Sequence, residues 1–233
     1  MLKKFTVGLV LAAALLSGHL ALASGTGTAV VTPDQALQFL LDGNRKFVKG
    51  EVEHLKRMSS VARKTELAAG QHPYAIVLTC SDSRVPPEIL FDKGLGEIFV
   101  ARVAGNIATA NELLGSIEYG VEHLGASLIM VLGHSKCGAV TATYDSHVTG
   151  TMPPKNIDSL VKAIDPAVSA VLATKPTGTK AEIVEECIVE NINMVTESLE
   201  ANSPIVKEFV ELGKVKIVKA KYDLSSGVVS VLP

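Results

Sequence analysis

Hydrophobic positions recur along the chain with two periods. Leu37, Leu40, Leu41 and Phe47 return at helical spacing behind Thr32-Pro33-Asp34. Thr32 suits an N-cap and Pro33 a first helical position, where no N–H is needed. Gly50 suits the end of that helix. The more charged stretch from His54 to Ala69 predicts a second helix stopped by Gly70, so that about 33–70 form an N-terminal helical arm. Short apolar runs then predict strands at Tyr74–Thr79, Ile98–Val103 and Leu128–Leu132. The third is apolar without interruption, as parallel strands buried on both faces are. Asn111–Leu124 reads as a helix ended by Gly125, and another helix lies inside the Pro-flanked segment 151–179. Ala181–Glu200 reads as a long helix, and strands at Val215–Lys221 and Val228–Leu232 meet at a turn near Ser225-Ser226-Gly227. Strands alternating with helices predict an α/β domain with a mostly parallel sheet. No repeat or linker divides residues 24–233.

The first residues follow another pattern. Lys3-Lys4, the apolar run Phe5–Leu16 and Ala21-Leu22-Ala23 predict a secretory signal over residues 1–23, cleaved after Ala23. Ser17-Gly18-His19 interrupts the run before the roughly 20 apolar residues that a membrane span needs. The expectation is therefore export without a stable membrane anchor, to a periplasm or beyond. Such a compartment is oxidising.

Composition narrows the function classes. An apolar fraction of 47% with 20% charged residues fits a packed core and excludes a disordered chain. Aromatics are only 4% and Trp is absent, which argues against base-stacking surfaces. The net charge is −2 and no basic run follows Lys3-Lys4, so no nucleic-acid partner is expected. Three cysteines are too few for a disulfide scaffold.

Two segments carry chemistry. Cys80-Ser81-Asp82-Ser83-Arg84-Val85 follows the first predicted strand, and Gly133-His134-Ser135-Lys136-Cys137-Gly138-Ala139 follows the third. Open α/β sheets place their sites at the carboxyl ends of strands. If these strands are neighbours, Cys80, His134 and Cys137 converge. Two thiolates and an imidazole suit zinc, and three protein ligands are the mark of a catalytic site rather than a structural one. A disulfide between Cys80 and Cys137 is the alternative in an oxidising compartment. Asp82, two residues from Cys80, can take a fourth position or accept a proton, with Arg84 holding it ionised. Cys187 lies in a predicted helix away from both motifs and reads as core packing.

Cys-Ser-Asp-Ser-Arg-Val followed by Gly-His-Ser-x-Cys-Gly-Ala resembles the β-carbonic anhydrases. The likeness runs from about Asp34 to the C-terminus and includes Ala101–Asn106 and Lys221-Tyr222-Asp223-Leu224. It implies zinc on Cys80, His134 and Cys137, one ion per chain, and an Asp82–Arg84 dyad. It implies reversible hydration of carbon dioxide to bicarbonate and a proton by zinc-bound hydroxide. It also implies an obligate homodimer, or a multiple of dimers, with active sites at the subunit interface. The implied sheet order is 2-1-3-4 with an antiparallel fifth strand at the edge. Gln71, Phe99 and Tyr119 match the plant-like branch, as residues beside the substrate. Val77 stands where the other branch carries a Trp. His123 shares a helix side with Tyr119 and matches a residue proposed to relay protons. Hydrolysis of carbon disulfide or carbonyl sulfide on the same scaffold, and a non-catalytic zinc-binding protein, are the rival functions.

Overall fold

Thr32 starts the first helix, as its sequence context predicts. The computed structural model describes residues 31–233, so the signal read at residues 1–23 lies outside the described residues. Helix α1, Pro33–Lys49, opens on a capping box. The Gln35 N–H donates to Thr32 Oγ1 at 3.3 Å, and the Thr32 N–H donates to Gln35 Oε1 at 2.9 Å. Gly50 ends it in the left-handed conformation, φ 74°. The helix expected over 54–69 is instead two short ones, α2 (His54–Arg57) and α3 (Val61–Leu67). The break has a local cause: the Ser60 hydroxyl accepts from the Arg63 N–H at 3.2 Å and restarts the helix. Buried Asn44 on α1 ties the arm to the domain. Its Nδ2 donates to Gly227 O at 2.9 Å, and its Oδ1 accepts from the Val229 N–H at 2.9 Å.

Five strands follow: β1 (Ala75–Thr79), β2 (Ile98–Arg102), β3 (Leu128–His134), β4 (Lys216–Tyr222) and β5 (Val229–Val231). They lie in the order β2-β1-β3-β4-β5. The first four are parallel, and β5 is antiparallel to β4. Each central strand alternates between two buried faces. Ile76 and Leu78 of β1 with Ile129 and Val131 of β3 pack beneath α5 (Asn111–Glu122), α7 (Ile157–Ala173) and α8 (Lys180–Asn202). Ala75, Val77, Leu128 and Met130 face α1 and the short helix α4 (Pro87–Leu90). Burial on both sides is why β3 reads as an unbroken apolar run.

Besides the one-turn α4, two longer helices escaped the hydrophobic pattern: α6 (Gly138–Thr149) and α9 (Pro204–Glu211). The apolar residues of α6 are spread around its axis rather than along one stripe, so no helical period stands out. Among the described residues no helix is long and apolar enough to cross a membrane.

Candidate metal centre and active site

The chain runs from β1 to β2 on one flank of the sheet and from β3 to β4 on the other, so the neighbouring strands β1 and β3 lead in opposite directions. A crevice opens at such a switch point, above the carboxyl ends of β1 and β3. Register brings the two motifs there. Thr79 pairs with Leu132 across the strands, and its hydroxyl donates to Leu132 O at 2.8 Å. Cys80 follows directly, His134 is the last residue of β3, and Cys137 is the N-cap of α6.

The Sγ atoms of Cys80 and Cys137 and a ring nitrogen of His134 all lie within 4.8 Å of one another, and all three residues are buried. Cys80, Cys137 and Cys187 are free thiols, so the disulfide alternative is not formed. Nδ1 of His134 sits 2.9 Å from the Ser135 carbonyl oxygen. That oxygen can only accept, so Nδ1 carries the proton and Nε2 keeps its lone pair. Nε2 is buried without a hydrogen-bond partner. A hydrogen bond with Cys137 is the main influence holding the Cys80 thiol below its ordinary range, and the same contact drives Cys137 up. Two buried sulfurs thus lie in contact beside an imidazole nitrogen that has no hydrogen-bond partner. A soft divalent cation of the zinc type satisfies all three donors at once.

The surrounding backbone is arranged around Cys80. The Gly105 N–H donates to its Sγ at 3.3 Å. Gly105 adopts φ 77°, and a β-carbon there would lie 2.5 Å from Cδ1 of Ile164. The left-handed conformation favours glycine, and a larger residue would also have to displace the tip of Ile164. Asn191 of α8 donates to Gly105 O at 2.9 Å and holds this turn in place.

Asp82 sits beside the trio. Its Oδ1 accepts from the Arg84 backbone N–H and from Arg84 Nε, each at 2.9 Å, and its Oδ2 accepts from Nη2 at 2.6 Å. This bidentate fork is the main cause that holds the Asp82 carboxyl well below the usual carboxylate range. Oδ2 also lies 3.9 Å from His134 Nε2. An ionised carboxylate therefore faces the same space as the unpaired imidazole nitrogen.

A sequence profile of the carbonic anhydrase family matches residues 75–229, the span that holds every one of these groups. The chain belongs to the β-carbonic anhydrase family. It is 38% identical over 195 residues to carbonic anhydrase 2 of Mycobacterium tuberculosis, covering 84% of this chain and 90% of that one. It is 37% identical over 197 residues to a carbonic anhydrase of Mycolicibacterium smegmatis, covering 84% and 91%. Among solved structures, the Coccomyxa β-carbonic anhydrase in complex with acetazolamide superposes with a TM-score of 0.68 at 25% identity, over 84% of this chain and 86% of that one. The sheet order of the chain is the one the family resemblance implies.

Residues beyond the motifs also build the site. Arg102, at the end of β2, donates through Nε to Cys80 O at 2.9 Å and through Nη2 to Asp82 O at 2.6 Å. It clamps the loop that carries both a candidate ligand and the carboxylate. Motif spacing assigned Arg102, Gly105 and Asn191 no role. The only signal was that Arg102 and Gly105 fall inside the family-like segment 101–106.

The other predicted site residues lie elsewhere in the chain. Phe99 pairs with Ile76, three residues below the Thr79–Arg102 pair, or about 10 Å along the strand. Gly120 packs at the same level, where a β-carbon would meet Ile76 and Phe99, which places neighbouring Tyr119 toward that end of the sheet. Tyr119 and His123 form a tilted ring pair with centroids 5.1 Å apart on the exposed side of α5. Gln71 precedes β1 and lines a shallow cavity with Leu67, Gly70 and Leu95, which holds none of the three metal-site donors. A single chain therefore gathers Cys80, Asp82, Arg84, His134 and Cys137 at one sheet end and leaves Gln71, Phe99, Tyr119 and His123 toward the other. Cys187 is buried in α8, and burial is the main cause that pushes its thiol up to about 11.

Proposed function

We propose that this chain hydrates carbon dioxide reversibly to bicarbonate and a proton, with one zinc ion held by Cys80, His134 and Cys137. The observation that carries the reading is the buried, unpaired Nε2 of His134 facing an ionised Asp82 across 3.9 Å. Zinc bound by such a donor set lowers the pKa of a coordinated water to about 7 and so supplies a nucleophile at neutral pH.

The remaining work belongs to the chain. Asp82 accepts a proton at Oδ2, the oxygen on the His134 side. Arg84 fixes the plane of that carboxylate and keeps it ionised between turnovers, and Arg102 fixes the backbone beneath it. Gln71, Phe99 and Tyr119 contact the substrate in this reading, and they do so from a second copy of the chain. Their position toward the far end of the sheet, with Tyr119 half exposed, supports a homodimer or a multiple of dimers. His123, exposed beside Tyr119, relays the proton onward to buffer. Export to a periplasm through the signal at residues 1–23 completes the proposal.

The test is carbon dioxide hydration by the purified chain, followed with a pH indicator in stopped flow, with zinc measured per chain. Turnover that scales with zinc content supports the reading. Zinc-loaded protein that consumes carbon disulfide but leaves carbon dioxide untouched overturns it in favour of the hydrolase, and zinc uptake without any turnover leaves only a metal-binding protein.

A further inference from the structure

The turn between His134 and Cys137 is held by a carboxylate that neither motif contains. β3 ends at His134 and Cys137 caps α6, so the two residues between them, Ser135 and Lys136, must swing the chain until both donors face one pocket. Ser135 is pinned by the fold: its N–H donates to Tyr222 O, and its Oγ accepts from the Leu224 N–H, each at 2.9 Å. Lys136 makes the turn itself in the left-handed region, φ 54°. That conformation is disfavoured for any residue with a β-carbon and persists only where the surroundings impose it.

Glu185 of α8 bonds to this turn. Its Oε1 accepts from the Lys136 N–H at 2.8 Å, and its Oε2 accepts from Lys221 Nζ at 2.8 Å. Lys221 stands opposite Gly133 on the neighbouring strand. The clamp thus joins α8 and β4 to the peptide between the two candidate ligands. Satisfying the N–H does not require it. Lys136 and Glu185 border a cavity of about 630 Å³, roomy enough for water to take the same bond. Water would leave the peptide free to turn. A carboxylate anchored to two elements does not.

We propose that Glu185 is a positioning residue for the metal centre. By holding the Lys136 peptide in its left-handed turn it sets the His134–Cys137 bite, and with it the rate at which the metal is lost. The inference rests on the metal reading of Cys80, His134 and Cys137. A purely structural ion pair at this partly buried position would move overall stability slightly and leave metal release unchanged.

Two conservative variants separate the roles. Glu185→Gln keeps an acceptor oxygen at the same reach and loses the charge. Glu185→Asp keeps the charge and draws the oxygens back by one methylene. Zinc release from the loaded full-length protein is followed with a chromogenic chelator, and circular dichroism of each variant checks its fold. Glu185→Asp should release zinc about 10-fold faster or more, the scale of lost outer-shell contacts, while Glu185→Gln stays close to wild type. Cobalt(II) loaded in place of zinc should show altered thiolate charge-transfer bands in Glu185→Asp alone. Adding Lys136→Gly should recover much of the loss, since glycine adopts the left-handed turn unaided. Release and cobalt spectra unchanged in Glu185→Asp, or Glu185→Gln releasing faster than Glu185→Asp, would overturn the inference and leave the metal site standing. Wild-type protein that takes up no zinc would overturn the site itself.

Discussion

Oδ2 of Asp82 lies 3.9 Å from Nε2 of His134, and the two groups are left ready by different neighbours. The Ser135 carbonyl oxygen accepts the hydrogen bond from Nδ1–H and so leaves Nε2 with its lone pair, while Arg84 grips both carboxylate oxygens and keeps them ionised. A cation-seeking nitrogen and a proton-accepting oxygen share one small space, yet neither side chain contacts the partner of the other. The division allows the metal and proton roles to be tested separately.

Removing any one donor of the trio should empty the site. Cys80→Ala, His134→Ala and Cys137→Ala should each bind far less zinc than wild type, because two protein donors remain where three were held within 4.8 Å. Cys187→Ser should keep its metal. Metal analysis of the purified variants decides, and full zinc occupancy in Cys137→Ala would refute the ligand set.

Asp82→Asn should retain zinc and lose on the order of 10²- to 10⁴-fold in turnover at neutral pH, since an amide cannot accept the proton. The sign of the pH effect follows from Arg84. Asp82 titrates below its unfolded value of about 3.9. Its ionisation therefore contributes stability that is fully present above that pH and is lost as pH falls through the folded value. Arg84→Ala should move the loss of carboxylate function upward in pH. A stopped-flow pH profile checks this, and an acid limb unchanged in Arg84→Ala would contradict the dyad.

Two inactive variants should complement one another if the site spans two subunits. Asp82→Asn disables the metal end and Gln71→Ala the far end. Co-expressed and purified as mixed dimers, they should regain part of the wild-type activity, because one of the two sites then draws an intact residue from each chain. Mixed dimers as inactive as either parent, or a fully active monomer in sedimentation, would rule out a shared site.

His123→Ala should slow proton transfer more than carbon dioxide conversion. His123 is exposed and pairs its ring with Tyr119, and its Nε2 is 3.4 Å from Glu122 Oε2. The variant should lose turnover in weakly buffered solution and regain it with added imidazole, with kcat/KM for carbon dioxide little changed. Unchanged turnover at low buffer would reduce His123 to a helix-surface residue.

Local chemistry made much of this protein legible in its sequence. Thr32 and Gly50 bound α1 because capping needs only near neighbours, and the apolar run of β3 announces a strand buried on both faces. The donors Cys80, His134 and Cys137 were readable because metal chemistry requires particular side chains, and Asp82 with Arg84 because they stand beside a donor. The break at Ser60 was missed because a hydroxyl competing for one N–H leaves no mark on hydrophobic period, and α6 because its apolar residues surround the axis. Tertiary structure alone decided which chain segments meet. Arg102 reaches Cys80 and Asp82 only because β2 lies beside β1, and Glu185 reaches Lys136 only because α8 packs over β3, close enough that a β-carbon at Gly133 would lie 2.6 Å from Ile192. Such contacts join positions far apart in the chain, and their energy depends on register and packing. Spacing in sequence therefore names the candidate groups for chemistry, while the fold selects those that hold them in place.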